Sequence, residues 1–377
     1  MNHKKILCLI TFIFMFAVFS VTAYGTNIDE YYKEGLEASG ADELSEYLSD
    51  ETNDYLNRLG CGEIEFEKIL DISPQTVFRM LWDMIKGNVT EPLKALLKTT
   101  GIVLAVSVCS GFFPDDEKSK SVLNLVCGCV TVIGIFASAV NSIKSAVSVI
   151  GVCADFEKAL IPVLAGVVTA SGNPSLALGF KGAAFAAAEF IEALADNFAI
   201  PLIGISGALG ITGAMLPTLR LSAISEIIRK TMITVLACAA GLFTGFLSLK
   251  SVLSSAADGL VAKGVKMASS FVPVVGGALG EAYSSVTASI SLLKSTIGIY
   301  VITALFVTGI PVAINLALWV LALRVACAVS DLLDCRVCSE IIKNTAFIFT
   351  TVNALLLLCM AVFIISAGLV VTIKSGG

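Results

Sequence analysis

The side chains able to do covalent or metal chemistry in this sequence are few in kind: eleven cysteines and one histidine. The histidine is His3, inside an N-terminal segment that reads as an export signal. With that segment removed, no imidazole remains. Ser–His–Asp and Cys–His nucleophiles, His-x-x-x-His zinc sites and imidazole acid–base work are then excluded. Cys335-x-x-Cys338 is a single CxxC pair. A structural zinc site normally takes four ligands, and neither a second pair nor a histidine stands near it. Neither metal nor redox work is expected of this pair, and Asp331, Asp334 and Glu340 serve to keep its loop hydrated. Cys127 and Cys129 lie in an apolar run, where cysteine acts as a small filler. Gly259-x4-Gly264-Val265-Lys266 is superficially like a phosphate loop, but valine stands where lysine must follow the second glycine, and Met267 where Ser or Thr is needed. No catalytic set is left. We expect no enzyme, no cofactor and no nucleic-acid partner.

The polar groups that remain concentrate between Ser251 and Ser295. Leu253, Ala257, Leu260, Gly264, Ala268 and Phe271 recur at steps of three and four, one face of a helix. Asp258, Lys263 and Lys266 lie off that stripe. A second run sets Leu279, Ala282, Tyr283, Val286, Ile290 and Leu293 against Glu281 and Lys294. Between them, Pro273 removes an N–H, and Gly276 and Gly277 free the backbone. The pattern predicts two amphipathic helices folded about a Pro-Gly-Gly corner, either re-entrant into a membrane or lying on it. Asp258, Lys263, Lys266, Glu281 and Lys294 are the expected pore or partner face.

The elements around this stretch follow from composition. The chain is 56% hydrophobic and 15% charged, where soluble domains run near 25% charged, so it reads as a polytopic membrane protein. Residues 26–92 hold 16 acids against 5 bases, whereas residues 93–377 hold 18 bases against 14 acids. An acidic aqueous module thus precedes a mildly basic membrane module. Residues 1–23 carry Lys4 and Lys5, an apolar run and Val21-Thr22-Ala23, the pattern of a cleaved signal peptide. An uncleaved first anchor would export the next segment equally well. Residues 24–92 form a small exported helical module. Leu44, Tyr47, Leu48, Tyr55, Leu56 and Leu59 give a helix-period stripe stopped by Gly60, and Ser73-Pro74 starts another helix, with Val77, Met80, Leu81, Met84 and Ile85 on one face. So short a module makes a poor core of its own, so its helices are expected to pack on a partner or on the membrane surface.

From Pro92 on, apolar segments near 93–113, 122–143, 159–172, 176–195, 199–217, 231–249, 297–323 and 345–373 follow in quick succession. About 20 residues are needed to cross a bilayer, and the third and fourth are short or charged. The expected organisation is membrane helices over 93–250, the amphipathic corner over 251–295, and C-terminal membrane helices over 296–377. Lys181, Glu189, Glu192 and Asp196 give the fourth segment a polar stripe. Gly204, Gly207, Gly210 and Gly213 recur every third residue in the fifth, marking a close helix contact, within this chain or between copies. Arg220, Arg229 and Lys230 suggest a cytoplasmic loop, which puts residues 324–343 on the same side.

Several stretches resemble one family. Trp82-Asp83-Met84-Ile85-Lys86-Gly87, Ala159-Leu160-Ile161-Pro162-Val163-Leu164, Ala170-Ser171-Gly172, Asp258-Gly259, Lys266-Met267-Ala268, Phe271-Val272-Pro273-Val274-Val275-Gly276 and Leu292-Leu293-Lys294-Ser295-Thr296-Ile297-Gly298 look like stage III sporulation protein AE of endospore-forming bacteria. Asn173 stands where the family usually has a second glycine. The resemblance implies an integral membrane subunit of a channel complex joining mother cell and forespore. It implies a place in the mother-cell membrane that engulfs the forespore. The implied partners are the other A-group stage III proteins, a secretion-type ATPase among them, and stage II sporulation protein Q across the gap. The alternatives are a self-contained secondary transporter, with a midplane site near Pro162, Pro201 and Pro273, and a non-conducting scaffold. A homo-oligomer fits any of these.

Overall fold

The computed structural model describes residues 28–62, 64, 74–112, 117–172, 174–216, 221, 223–241 and 276–372. Residues 1–23, which read as an export signal, and the first amphipathic run, with Asp258, Lys263, Lys266 and Pro273, lie outside the described residues. Among the described residues every regular element is helical: α1 (Ile28–Ser39), a 3₁₀ turn (Asp42–Tyr47), α2 (Asp50–Arg58), α3 (Pro74–Asn88), α4 (Thr90–Ser110), α5 (Glu117–Ala170), α6 (Pro174–Ala193), a π segment (Leu194–Ala199), α7 (Ile200–Met215), α8 over 223–241, α9 (Gly276–Leu332) and α10 (Arg336–Thr372). The all-α, polytopic expectation holds. Four of these stretches, or five with one bent pair, are long and apolar enough to cross a membrane.

Fewer, longer helices replace the eight segments read from hydropathy. Residues 122–143 and 159–170 fall within α5, which bends by 45° between Phe136 and Ala139 and then runs on through Pro162. Residues 176–195 and 199–217 are joined by the π segment into one 39-residue stretch, Ala177–Met215. Pro201 falls in the first turn of α7, where its missing N–H costs nothing. The second amphipathic run is also not a separate helix. It is the start of α9, which continues unbroken across the 295/296 boundary to Leu332. At 1.5 Å per residue, α9 (57 residues) and α5 (54 residues) are ~80 Å long. A hydrocarbon core is ~30 Å thick. α9 therefore projects well beyond any bilayer it crosses, whereas α5 is divided by its 45° bend near Phe136.

α9 and α10 form the central antiparallel hairpin, with the fully buried Trp319 stacked on Phe349 at 5.0 Å between ring centroids. The first part of α9 is wrapped by the chain's own N-terminal helices. Leu293 lies against Gly35 of α1, where a Cβ would sit 3.0 Å from its Cδ2, and the Thr52 hydroxyl of α2 meets that of Thr308 at 3.3 Å. Leu44, Leu48, Leu56 and Leu59 are buried in the same continuous core. The apolar stripe read in the module thus has its partner inside this chain, and that partner includes much of the segment expected to cross as 297–323. Lys294 is likewise buried, at 2% exposure.

α1 and α2 both end in the same way. Gly40 (φ +69) and Gly60 (φ +79) take the left-handed conformation, and the next N–H reaches back over the last turn: Ala41 to the Leu36 carbonyl and Cys61 to that of Leu56. α9 ends with the same hydrogen-bond pattern, but with Asp334 (φ 52) in glycine's place. There Asp334 N–H donates to the Asp331 carbonyl at 3.2 Å, and Cys335 N–H to that of Ser330 at 3.0 Å.

Candidate functional site: two polar crevices along one bundle

The outer crevice, about 520 Å³, lies where α2, the end of α3, α5 and α9 meet. Ser49 caps α2, accepting from Thr52 N–H at 3.3 Å, as serine commonly does ahead of an acidic first turn. A hydroxyl has one proton to give. That of Thr308 goes to the Ala304 carbonyl at 2.7 Å. In the Thr52–Thr308 contact Thr52 must therefore donate, and Ser49 must donate to Thr52 at 2.9 Å. The result is one directed relay from the cap of α2 into α9. Opposite it, Asn141, Ser145 and Ser148 stand at helical spacing on one face of α5, all exposed. Asn315 donates to the Asn88 side-chain oxygen at 3.2 Å. Pro311 removes the N–H that would otherwise bond the Val307 carbonyl, and both residues line the crevice. Glu51 is the sole ionisable carboxylate in a wall otherwise made of neutral groups, apart from the Tyr55 phenol.

The inner crevice, about 940 Å³, lies at the α9–α10 turn and is walled by α4, α7 and α8. Its wall is charged: Glu226, Arg229, Asp334, Arg336, Glu340 and Lys343. Arg229 sits over the Phe347 ring at 4.1 Å and 3.7 Å from Glu226. Lys343 reaches Asp331 at 3.4 Å and Glu340 at 3.5 Å, and Asp331 also accepts from the Ser339 hydroxyl. Cys335, Cys127 and Gly213 line the same space.

Between the crevices the exposed surface is largely apolar, and exposed apolar side chains continue past the inner one at Val108, Val122 and Leu332. Large apolar side chains stand exposed on α4 (Leu97, Leu104), α5 (Val130, Ile133) and α9 (Leu321, Val325). Each lies between a residue of one crevice and a residue of the other. Past Ile133 and as far as Asp155, the exposed positions of α5 among the described residues are polar apart from Gly151: Asn141, Lys144, Ser145, Ser148 and Asp155. Asn315 to Leu333 on α9, and Cys127 to Ser145 on α5, each span ~27 Å at 1.5 Å per residue. That is close to the thickness of a hydrocarbon core.

The residues singled out by sequence are dispersed over this frame. Gly276 and Gly277 open α9, and Glu281 follows in its second turn. A Cβ at Gly210 would come within 2.3 Å of the Asn344 side chain, and one at Gly207 within 3.1 Å of Ile348. Asn344 also donates to the Gly207 carbonyl at 3.2 Å. Gly204 faces open space and Gly213 the inner crevice. Glu189 and Glu192 pair with Lys158 of α5. Glu157 was not singled out. It is 1% exposed on α5, facing Ser366 of α10 and flanked by Cys153 and Cys359, and its Oε2 has no hydrogen-bond partner. An acid inside an apolar helical run was the available signal, and such residues are rare at membrane depth unless they have work to do.

Long helices carrying an apolar belt with polar crevices at its ends define a multi-pass helical membrane protein. Within that class, residues 63–374 match the family model for stage III sporulation protein AE, so the chain belongs to that family. It is 24% identical over 315 residues to stage III sporulation protein AE of Bacillus subtilis (strain 168), covering 80% of this chain and 78% of that one. No solved structure matches it.

Proposed function

We propose that this chain is an integral membrane component of a sporulation-specific transport or secretion channel between mother cell and forespore, required for spore development. Family membership supports the sporulation role. The observation that carries the transport reading is the neutral, hydroxyl- and amide-lined outer crevice directly above the apolar belt. Pro311, whose missing N–H frees the Val307 carbonyl, lines that crevice and adds an acceptor to its wall. Under this reading the belt faces lipid in the mother-cell membrane, and the N-terminal helices stand on the outer side. The polar face carried by Asp258, Lys263, Lys266 and Glu281 meets other A-group stage III proteins, including a secretion-type ATPase, or stage II sporulation protein Q.

The test is to fill the crevice. Ser145→Leu with Ser148→Leu places bulk on an exposed helix face without touching the buried core. Spore yield should fall at least tenfold with membrane abundance of the chain unchanged. Full spore yield from this double variant would sink the crevice as a functional feature. Charge reversal at Lys263, Lys266 and Glu281 should likewise block sporulation at normal abundance if that face is a partner surface, since free surface charges contribute little. Uptake of a small solute by the purified chain in liposomes would instead favour the self-contained carrier.

A further inference from the structure

Cys335 and Cys338 lie in a local geometry that the sequence pattern alone does not specify. The left-handed Asp334 turns the chain so sharply that Cys335 becomes the residue capping α10: its carbonyl accepts the first helical bond, from Ser339 N–H at 3.0 Å. Ser330 Oγ donates to that carbonyl as well, at 2.9 Å, and fixes it. Cys338 is then the third residue of the helix, one turn on and on the same face. Its sulfur lies 3.3 Å from the Thr131 oxygen of α5, whose one proton goes to the Cys127 carbonyl at 2.8 Å, and it is buried, whereas Cys335 is half-exposed in the inner crevice.

We propose that Cys335 and Cys338 form a reversible dithiol–disulfide pair that reacts with low-molecular-weight disulfides entering the inner crevice. Cys335 is the attacking thiolate and Cys338 the resolving thiol. Three observations point the same way. The Cys338 thiol hydrogen-bonds to Cys335, which is the largest influence bringing the Cys335 pKa down to about 7 against the opposing effect of burial, and the Cys338 backbone N–H adds to it. The end of a helix where free N–H groups point outward stabilises a thiolate as it does any anion. The crevice leaves the Cys335 side open and covers Cys338, so the order of attack is set by access. The small disulfide is favoured over a protein one because Cys335 lines a recess and not a protruding edge, and the recess offers both charge signs to a zwitterion: Arg336 and Lys343 beside Glu226 and Glu340.

The chemistry balances as an exchange. The Cys335 thiolate attacks one sulfur of the incoming disulfide, forming a mixed disulfide and expelling one thiolate. Cys338 gives its proton to the expelled thiolate and attacks the Cys335 sulfur, and the second thiolate leaves and takes a proton from water in the crevice. The chain has lost two electrons and the small disulfide has gained them. At pH 7 a thiol titrating near 7 is about half ionised, against a few per cent for an ordinary one, but its lower basicity makes it a poorer nucleophile, so the net gain in rate is about threefold.

Full-length protein in detergent, treated with oxidised glutathione and mapped by peptide mass spectrometry, tests this. The wild type should yield a Cys335–Cys338 disulfide free of glutathione. Cys338→Ser, in which the serine hydroxyl still donates, should hold one glutathione on Cys335. Cys335→Ser should leave Cys338 unmodified. Alkylation of native Cys335 by iodoacetamide should rise with a midpoint near pH 7, and with one near 8.5 in the urea-unfolded chain. A stable glutathione adduct on wild-type Cys335 would overturn the proposal, as would first attack at Cys338 or a native midpoint near 8.5.

Discussion

The two crevices carry polar groups of opposite kinds. The polar groups of the outer one are mostly hydroxyls and amides, set among valines, and several are held by a neighbour: Ser49 to Thr52, Thr52 to Thr308, Asn315 to Asn88. The inner one is built from full charges, with six ionised residues and their mutual pairs. The difference follows from what surrounds them. A hydroxyl can spend its proton on the carbonyl one turn back, as Thr308 does, and so costs little inside a helical bundle. A charge has no such local remedy, because desolvating it costs several kcal/mol. Charges therefore gather where the helices end and water reaches them. The outer crevice sits amid the helices, and the inner one sits at a turn.

Four substitutions sharpen or break that contrast, and the largest effect is expected between the crevices. Trp319→Ala removes the biggest fully buried side chain and its stacking on Phe349. It should cost about 3–5 kcal/mol, read as a lower unfolding temperature in detergent. A change of under 1 kcal/mol would mean that the stretch between the crevices is not close-packed. Next in size is Gly210→Ala, whose Cβ would press on Asn344 within 2.3 Å. We expect a loss of about 1–3 kcal/mol, whereas Gly204→Ala, facing open space, should be neutral. Equal protease resistance of the two variants would remove the packing role assigned to the stripe.

Smaller again is Thr52→Val, which breaks the outer relay at its middle and leaves Thr308 without its donor. About 1 kcal/mol is expected, and adding Thr308→Val should cost less than the sum of the two single changes. Strict additivity would show that the relay is not a unit. The smallest effect is of the opposite sign. Asp334→Gly relieves a left-handed conformation that costs a residue with a side chain about 1 kcal/mol, and the exposed Arg336 pair it gives up contributes little. Stability should rise by up to about 1 kcal/mol. A fall would show that Asp334 holds the turn by some other means.

Much of this architecture was legible in the sequence. Of the stripe Leu44, Tyr47, Leu48, Tyr55, Leu56 and Leu59, the four leucines are buried, whereas Tyr47 is exposed and Tyr55 only partly covered. The long apolar runs announced helices able to span a membrane. What hydropathy could not say was whether an apolar helix faces lipid or protein, since both reward the same side chains. Residues 297–323 read as a span, yet Thr308 within it lies under the N-terminal helices. Nor could it separate a break from a phase change. Pro162 and Pro201 look alike on the page, but one lies within an intact helix and the other in a first turn. Cys335 was discounted by spacing alone, because its place at a helix end depends on one left-handed residue whose conformation no periodicity reports.

The six-residue π segment between α6 and α7 has a consequence beyond continuity. Successive residues of an α-helix are set ~100° apart around its axis, so each residue accommodated by a wider turn rotates everything after it by about that angle. Leu194–Ala199 thus acts as a phase adjuster. It lets α6 present Glu189 and Glu192 to Lys158 while α7 presents Gly207 and Gly210 to α10. Deleting a single residue there would leave both helices intact and swing the glycine face a quarter-turn or more away from Asn344.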